Sequence, residues 1–173
     1  MRILAVVVAG LLALSGASGL AGAAETGPSV GGQQPVPGVE KSKASRIDEL
    51  FATLKATTSK DAAKAAETDI LRLWLQSDSD TVDLLMTWAM KAMEEKNYAL
   101  ALDFLDRVVT MKPDYVEGWN KRATVFYLTD EYSKSISDIG RTLEIEPRHF
   151  GALAGLGMIM HDIGDDKRAI DAY

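Results

Sequence analysis

The chain contains no cysteine, which excludes disulfides, thiolate nucleophiles and thiolate metal ligands. It has two histidines, His149 and His161, and on a shared helix their spacing would hold them about 18 Å apart at a 1.5 Å rise per residue. They cannot ligate one metal within a single hairpin. A surplus of positive charge is also missing, since 19 basic residues face 25 acidic ones for a net charge of −6. That balance disfavours nucleic acid and anionic membrane surfaces as partners. No strand-like alternation precedes Gly151, Gly155 and Gly157, so these glycines do not form a phosphate-binding loop. The acidic pairs Glu94-Glu95 and Asp165-Asp166 sit where helix ends are expected, and no acid and base converge. No catalytic residue, cofactor site or metal site emerges, and the chain reads as a non-enzyme.

What is present begins with Arg2, an apolar run from Ile3 to Leu14, and small residues ending at Ala24. This is the layout of a secretory signal, and residues 1–24 are expected to be removed on export to a periplasmic or extracellular location. The alternative is an uncleaved anchor, which the many Gly, Ser and Ala residues argue against. No stable membrane insertion is expected after cleavage. Loss of Arg2 takes the net charge to about −7. Residues 25–44 are polar, interrupted by Pro28, Pro35 and Pro37, and read as a flexible linker.

From Ser45 the apolar spacing becomes helical. Ile47, Leu50, Phe51 and Leu54 share one face, with Ser45 and Asp48 placed as a capping box. Ser59 is positioned to cap a second helix whose buried stripe is Ala63, Ala66, Ile70, Leu73 and Trp74. Residues 45–80 thus form an N-terminal helical hairpin, a degenerate or capping unit for the repeats beyond it. Over 81–173 a period of thirty-four residues takes hold. Ala101 to Leu105 followed by Pro113 recurs as Ser135 to Ile139 followed by Pro147, and begins again as Ala169 to Tyr173. The expected helices run Thr81 to Glu95, Tyr98 to Met111, Tyr115 to Leu128, Tyr132 to Ile145, His149 to Asp162 and Asp166 onward. Short connections make successive helices antiparallel neighbours.

Trp119, Ala123 and Phe126, then Tyr132, Ser135, Ile139 and Pro147, resemble one tetratricopeptide (TPR) repeat. The preceding unit supplies Leu85, Trp88, Ala89, Tyr98, Ala101, Leu105 and Pro113 in the same columns. The following unit supplies Leu153, Leu156, Gly157 and Ala169. The resemblance covers Val82 to Tyr173. It implies an all-α fold of antiparallel helical hairpins stacked in a right-handed TPR superhelix, an α-solenoid, with two full repeats and one incomplete repeat. Small residues at Ala89, Ala123 and Gly157, and at Ala101, Ser135 and Ala169, let the two helices of each hairpin approach closely. Two columns depart from the family. Arg122 stands where Leu is preferred, with its stem expected to be buried and its charge exposed, and Asp166 replaces the column of Tyr98 and Tyr132.

The resemblance also implies a concave groove lined by the first helix of each unit, serving protein–protein interaction. Its expected peptide-binding residues are Met86, Met90 and Met93 in the first unit, Asn120, Thr124 and Tyr127 in the second, and Met158 and His161 in the third. The methionines form either an adaptable apolar surface or core packed beneath the hairpin of Phe51 and Trp74. Met86, Met90, Glu117 and Gly151 occupy most positions where some relatives clamp a terminal carboxylate, leaving Asn120 and Lys121 as the suitable groups. The reading is an exported, non-enzymatic scaffold for a protein or peptide partner. A structural or oligomerisation module, or the docking arm of a longer protein, is the alternative. Tyr173 falls mid-helix by the repeat count, so either further sequence or self-association through the C-terminal end is expected to cover the last hairpin.

Overall fold

Helical periodicity carries through the chain as eight α-helices among residues 41–171, the residues described by the computed structural model. The expected signal segment 1–24, nearly all of the expected linker 25–44, and Tyr173 lie outside the described residues. The helices are α1 (Lys43–Ala56), α2 (Lys60–Leu75), α3 (Asp80–Glu94), α4 (Tyr98–Met111), α5 (Val116–Leu128), α6 (Tyr132–Ile145), α7 (Phe150–Asp162) and α8 (Asp166–Asp171). They pair as α1 with α2, α3 with α4, α5 with α6, and α7 with α8. No strand occurs among the described residues.

Local chemistry explains the ends. Ser59 accepts the backbone N–H of Ala62 at 3.3 Å and starts α2, while Asn97 accepts that of Leu100 at 3.3 Å and starts α4. The first helix begins slightly earlier than its sequence suggests. Ser42, not Ser45, is its cap, accepting the N–H of Ser45 at 3.2 Å. Ser45 lies within the first turn. Helices α4 and α6 end two residues before Pro113 and Pro147, because a proline biases the residue before it toward extended backbone. Lys112 and Glu146, the residues in question, have φ near −136° and −134°.

The tight turns repeat with the same period as the prolines. Lys96, Asp130 and Gly164 stand thirty-four residues apart, each with positive φ, at 57°, 60° and 79°. After each, the following N–H returns to a carbonyl five residues back: Asn97 to Ala92, Glu131 to Phe126, and Asp165 to Met160, all at 2.8 Å. This is the Schellman closure of a helix. A β-carbon in left-handed backbone costs about 1 to 2 kcal/mol, and glycine escapes most of it. Lys96→Gly is therefore expected to raise unfolding stability by about 0.5 to 1 kcal/mol after the extra freedom of the unfolded chain is subtracted. Chemical denaturation checks it, and a loss of stability would contradict the assignment of strain to this turn.

The small-residue columns pack as the pattern requires. Ala89 and Ala101 have no exposure, Ser135 has 1%, and Gly157 is buried. Ser135 donates its hydroxyl to the Ala123 carbonyl at 2.8 Å, joining two of these columns across one hairpin. Between hairpins contact is equally close, since a β-carbon on Gly118 would meet Val108 Cγ1 at 2.7 Å.

The N-terminal hairpin docks differently from a preceding repeat. Ile47, Ile70, Leu73 and Trp74 form a cluster with Val116 of α5, flanked by Ile145 and Phe150. One period before Gly118 and Arg122, which lie against α4, stand Leu84 and Trp88 of α3. These remain 48% and 45% exposed. The face of α3 that would meet a preceding second helix is thus uncovered among the described residues, and α1–α2 reach α5 instead.

Arg122 also corrects its sequence reading. Its charged end is enclosed rather than exposed, because Nε and Nη2 donate to Asp138 at 2.7 and 2.8 Å, and Nη1 donates to Asp106 at 2.9 Å. The guanidinium lies 4.8 Å from the Trp119 ring centroid. The residue at the expected leucine column therefore ties α4, α5 and α6 together by charge.

Candidate peptide groove

Helices α5 and α7 contact one another along part of their length and leave a groove of about 250 Å³ beside that contact. Four expected binding residues converge there: Asn120, Thr124 and Tyr127 from α5, and Met158 from α7. They share the groove because a step of three or four residues returns to the same helical face. Ala123, Ile139 and Ala152, all buried, form its floor. Gly151 and Gly155 keep the α7 wall low, and a β-carbon on Gly151 would lie 3.7 Å from Asn120 Nδ2. The result is an apolar trough with an amide, a hydroxyl and a flexible thioether along it. Met158 is 45% exposed.

Tyr127 forms one end. Its hydroxyl donates to Asp162 at 2.8 Å, and its ring stacks on Tyr132 with centroids 5.9 Å apart. Hydrogen bonding to the Asp162 carboxylate raises the phenol pKa, so Tyr127 acts as a neutral donor and apolar plate. His161 stands at the exposed end of α7, with Nδ1 2.9 Å from Asp166 Oδ1.

The methionines of the first unit do not join this groove. Met86 is 3% exposed and belongs to the core of Leu85, Ala89, Leu105 and Tyr115, with Met90 and Met93 partly buried against that core. Met86 therefore has no surface to offer a ligand, which corrects its placement in the groove. Of the two alternatives for this stripe, packing prevails, although against its own hairpin rather than beneath Phe51 and Trp74. Helical spacing alone does not distinguish a buried stripe from an exposed one when both flank the same small-residue column.

Sequence reasoning missed the polar joint behind the groove. Glu117, 3% exposed, and His149, 1% exposed, are buried together with Glu117 Oε2 at 3.0 Å from His149 Nε2. His149 Nδ1 accepts the backbone N–H of Ala152 at 3.1 Å, which requires a lone pair on that nitrogen and places the ring proton on Nε2. The imidazole therefore donates to the carboxylate while capping α7. On its other side it stacks on Trp74, centroids 4.1 Å apart. Burial by itself would raise the Glu117 pKa, but the His149 hydrogen bond and the Lys121 ammonium at 2.9 Å outweigh it and hold the carboxyl below its usual range. Asn120 donates to Glu117 as well, at 3.1 Å. The two groups suited to a carboxylate clamp, Asn120 and Lys121, are thus both bound to Glu117. A sequence signal existed in the position of His149 as a helix cap, but its partner on α5 is thirty-two residues away.

Among the described residues no group of three or more His, Asp or Glu is arranged to hold a metal ion. None of the described helices is long and apolar enough to cross a membrane.

No family model matches the chain. A TPR repeat-containing protein of Rhizobium etli is 47% identical over 128 residues, covering 74% of this chain and 63% of the relative. The small glutamine-rich tetratricopeptide repeat-containing protein 2 of Saccharomyces cerevisiae is 26% identical over 114 residues, covering 66% of this chain and 33% of the relative. The chain thus spans less than two thirds of the length of either. Among solved structures, the crystal structure of MamA aligns with a TM-score of 0.51 at 16% identity, covering 75% of this chain and 84% of that one. With helical hairpins repeating every thirty-four residues, the described residues have the fold of a tetratricopeptide-type α-solenoid, and the sequence is similar to that of named TPR repeat-containing proteins.

Proposed function

We propose that the chain is an exported, non-enzymatic scaffold that binds a protein segment in the groove between α5 and α7. The observation that carries this reading is the convergence of Asn120, Thr124, Tyr127 and Met158 around one apolar-floored trough. Such a surface suits an extended peptide or the apolar face of a partner helix, with the Asn120 side-chain carbonyl and the Tyr127 hydroxyl oxygen, whose proton goes to Asp162, supplying hydrogen-bond acceptors. Export is supported by the charged, apolar and small-residue order of residues 1–24, and it makes the periplasm or the exterior the place of action. Mass measurement of the mature protein tests that part, since removal of the segment leaves a chain beginning at or near Ala24.

Binding is tested with partners captured from a cell-envelope extract and then titrated against purified variants. Tyr127→Ala and Met158→Lys are each expected to weaken the captured partner at least tenfold, equivalent to about 1.4 kcal/mol, with unchanged helical content. Unaltered affinity in both would refute groove binding. A second reading, an oligomerisation module, is favoured by the uncovered face of Leu84 and Trp88 on α3. Unaltered binding together with a mass that rises with concentration in light scattering would select it.

A further inference from the structure

The groove between α5 and α7 has a chemical bias beyond its shape. Its polar lining consists of Asn120, Thr124, Tyr127 and Ser135. Three of these are hydroxyls, and each directs its only proton into the protein: Thr124 to the Asn120 carbonyl at 2.9 Å, Ser135 to the Ala123 carbonyl at 2.8 Å, and Tyr127 to Asp162 at 2.8 Å. A hydroxyl so committed offers a visitor only lone pairs. No charged side chain lines the trough itself among the described residues.

Charge enters at one end. Tyr127 and Tyr132 stack there with centroids 5.9 Å apart and planes inclined by 27°, and the Tyr132 hydroxyl lies 3.4 Å from Asp130 Oδ1. Two exposed carboxylates thus flank the aromatic pair, Asp162 from the end of α7 and Asp130 from the turn between α5 and α6. Both charges act on Tyr127, whose phenol pKa is raised first by the Asp162 hydrogen bond and in smaller part by the charges of Asp162 and Asp130. Neither carboxylate is ion-paired among the described residues. The cations nearest in sequence are engaged elsewhere, Lys134 with Glu131 and the Phe126 ring, and His161 with Asp166. The face of an aromatic ring and an unpaired carboxylate attract the same species, a cation.

We propose that the segment recognised by this groove is basic: an apolar residue lies over Ala123, Ile139 and Ala152, and a neighbouring lysine or arginine sits at the tyrosine pair between Asp130 and Asp162. This rests on the reading of the groove as a protein-binding surface and names the chemistry of its partner. A trough lined with acceptors also receives the backbone N–H groups of an extended segment. Among the lining side chains, only the second amide N–H of Asn120, whose first goes to Glu117 at 3.1 Å, is left to answer an acidic segment. The net charge of −6 steers a basic partner toward the chain from a distance.

A phage-displayed library of random seven-residue peptides is selected on the full chain and on Asp130→Asn/Asp162→Asn. Asparagine is tolerated in the left-handed backbone that Asp130 adopts at φ 60°. Glu94→Gln/Glu95→Gln, which removes the same charge at the end of α3, is the control for general acidity. Peptides selected on the full chain and on the control are expected to be enriched in lysine or arginine beside an apolar residue, and those selected on Asp130→Asn/Asp162→Asn are not. In the tightest of them, synthesised with capped ends, replacing the basic residue by glutamine is expected to raise Kd about tenfold. That difference disappears against Asp130→Asn/Asp162→Asn. Equal Kd for the basic and glutamine peptides, or a basic preference that survives Asp130→Asn/Asp162→Asn, overturns the basic partner and leaves the groove reading standing if Tyr127→Ala and Met158→Lys still weaken both peptides. Binding that neither Tyr127→Ala nor Met158→Lys alters refutes the groove itself. Failure to select any peptide also overturns the proposal, as does displacement of the peptide by equimolar spermidine, which assigns the tyrosine corner to a free amine.

Discussion

Arg122→Leu, although it restores the residue that the repeat pattern favours, is expected to destabilise the fold by about 3 kcal/mol. The substitution removes the only cation bonded to Asp138 among the described residues, and the Asp138 side chain is 6% exposed on α6. Breaking one half of a buried ion pair strands the other half in a medium that solvates charge poorly, and such losses run at about 3 to 5 kcal/mol. The lower end applies because Asp106, the second acceptor, is 62% exposed and returns to water without penalty. Packing over Trp119 and Phe126 is also reduced, since the guanidinium lies above both rings. Arg122→Leu/Asp138→Leu should then recover most of the loss, because an apolar pair of similar volume replaces a buried ion pair at little net cost. Urea unfolding of the three proteins decides it. A single variant within 1 kcal/mol of the parent, taken as about one standard mutational effect, would show that Asp138 is not held by this contact.

Trp74→Ala is expected to cost a comparable or larger amount, about 3 to 5 kcal/mol. Its ring is 1% exposed and sits among Phe51, His149 and Phe150, at centroid distances of 6.1, 4.1 and 5.0 Å. Truncation leaves a void and removes the plate on which His149 rests. Because α1 and α2 reach the array mainly through this cluster, their amides should lose hydrogen-exchange protection before those of α5 and α6. Equal loss across all helices would contradict a separable junction. The same joint shapes the acid response. Glu117 has a folded pKa below its usual value, so the unfolded chain takes up its proton at higher pH than the folded chain does. Its contribution is complete above the unfolded value of about 4.3 and is lost as pH falls through the lower, folded value. Glu117→Gln should flatten this part of the stability profile below about pH 5 while lowering stability near neutrality. An unchanged acid slope would remove Glu117 from that role.

Both effects arise where contacts join residues remote in sequence, and this marks how far the sequence could be read. The hairpin boundaries from α3 onward were legible because local signals coincide: apolar spacing, a small residue at each close approach, and a proline after α4 and after α6. The left-handed turns at Lys96 and Asp130 obey the same period, yet their residue types disguise it, and only Gly164 carries the usual signature. In the candidate groove, Asn120, Thr124, Tyr127 and Met158 were legible as helical columns. Met86 was not, because a methionine at helical spacing reads equally as groove lining or as core, and here it packs into the core of Leu85, Ala89, Leu105 and Tyr115.

The sequence by itself determined the all-helical class, the thirty-four-residue hairpin unit and the columns that pack within it, since these depend on contacts within a few turns of chain. Tertiary structure alone decided that α1–α2 dock on α5, that Arg122 closes on Asp138, and that Glu117, His149 and Trp74 meet. Those choices depend on desolvation: an apolar ring or a charge finds its place by which distant surface removes it from water at least cost, and periodicity holds no record of that distance.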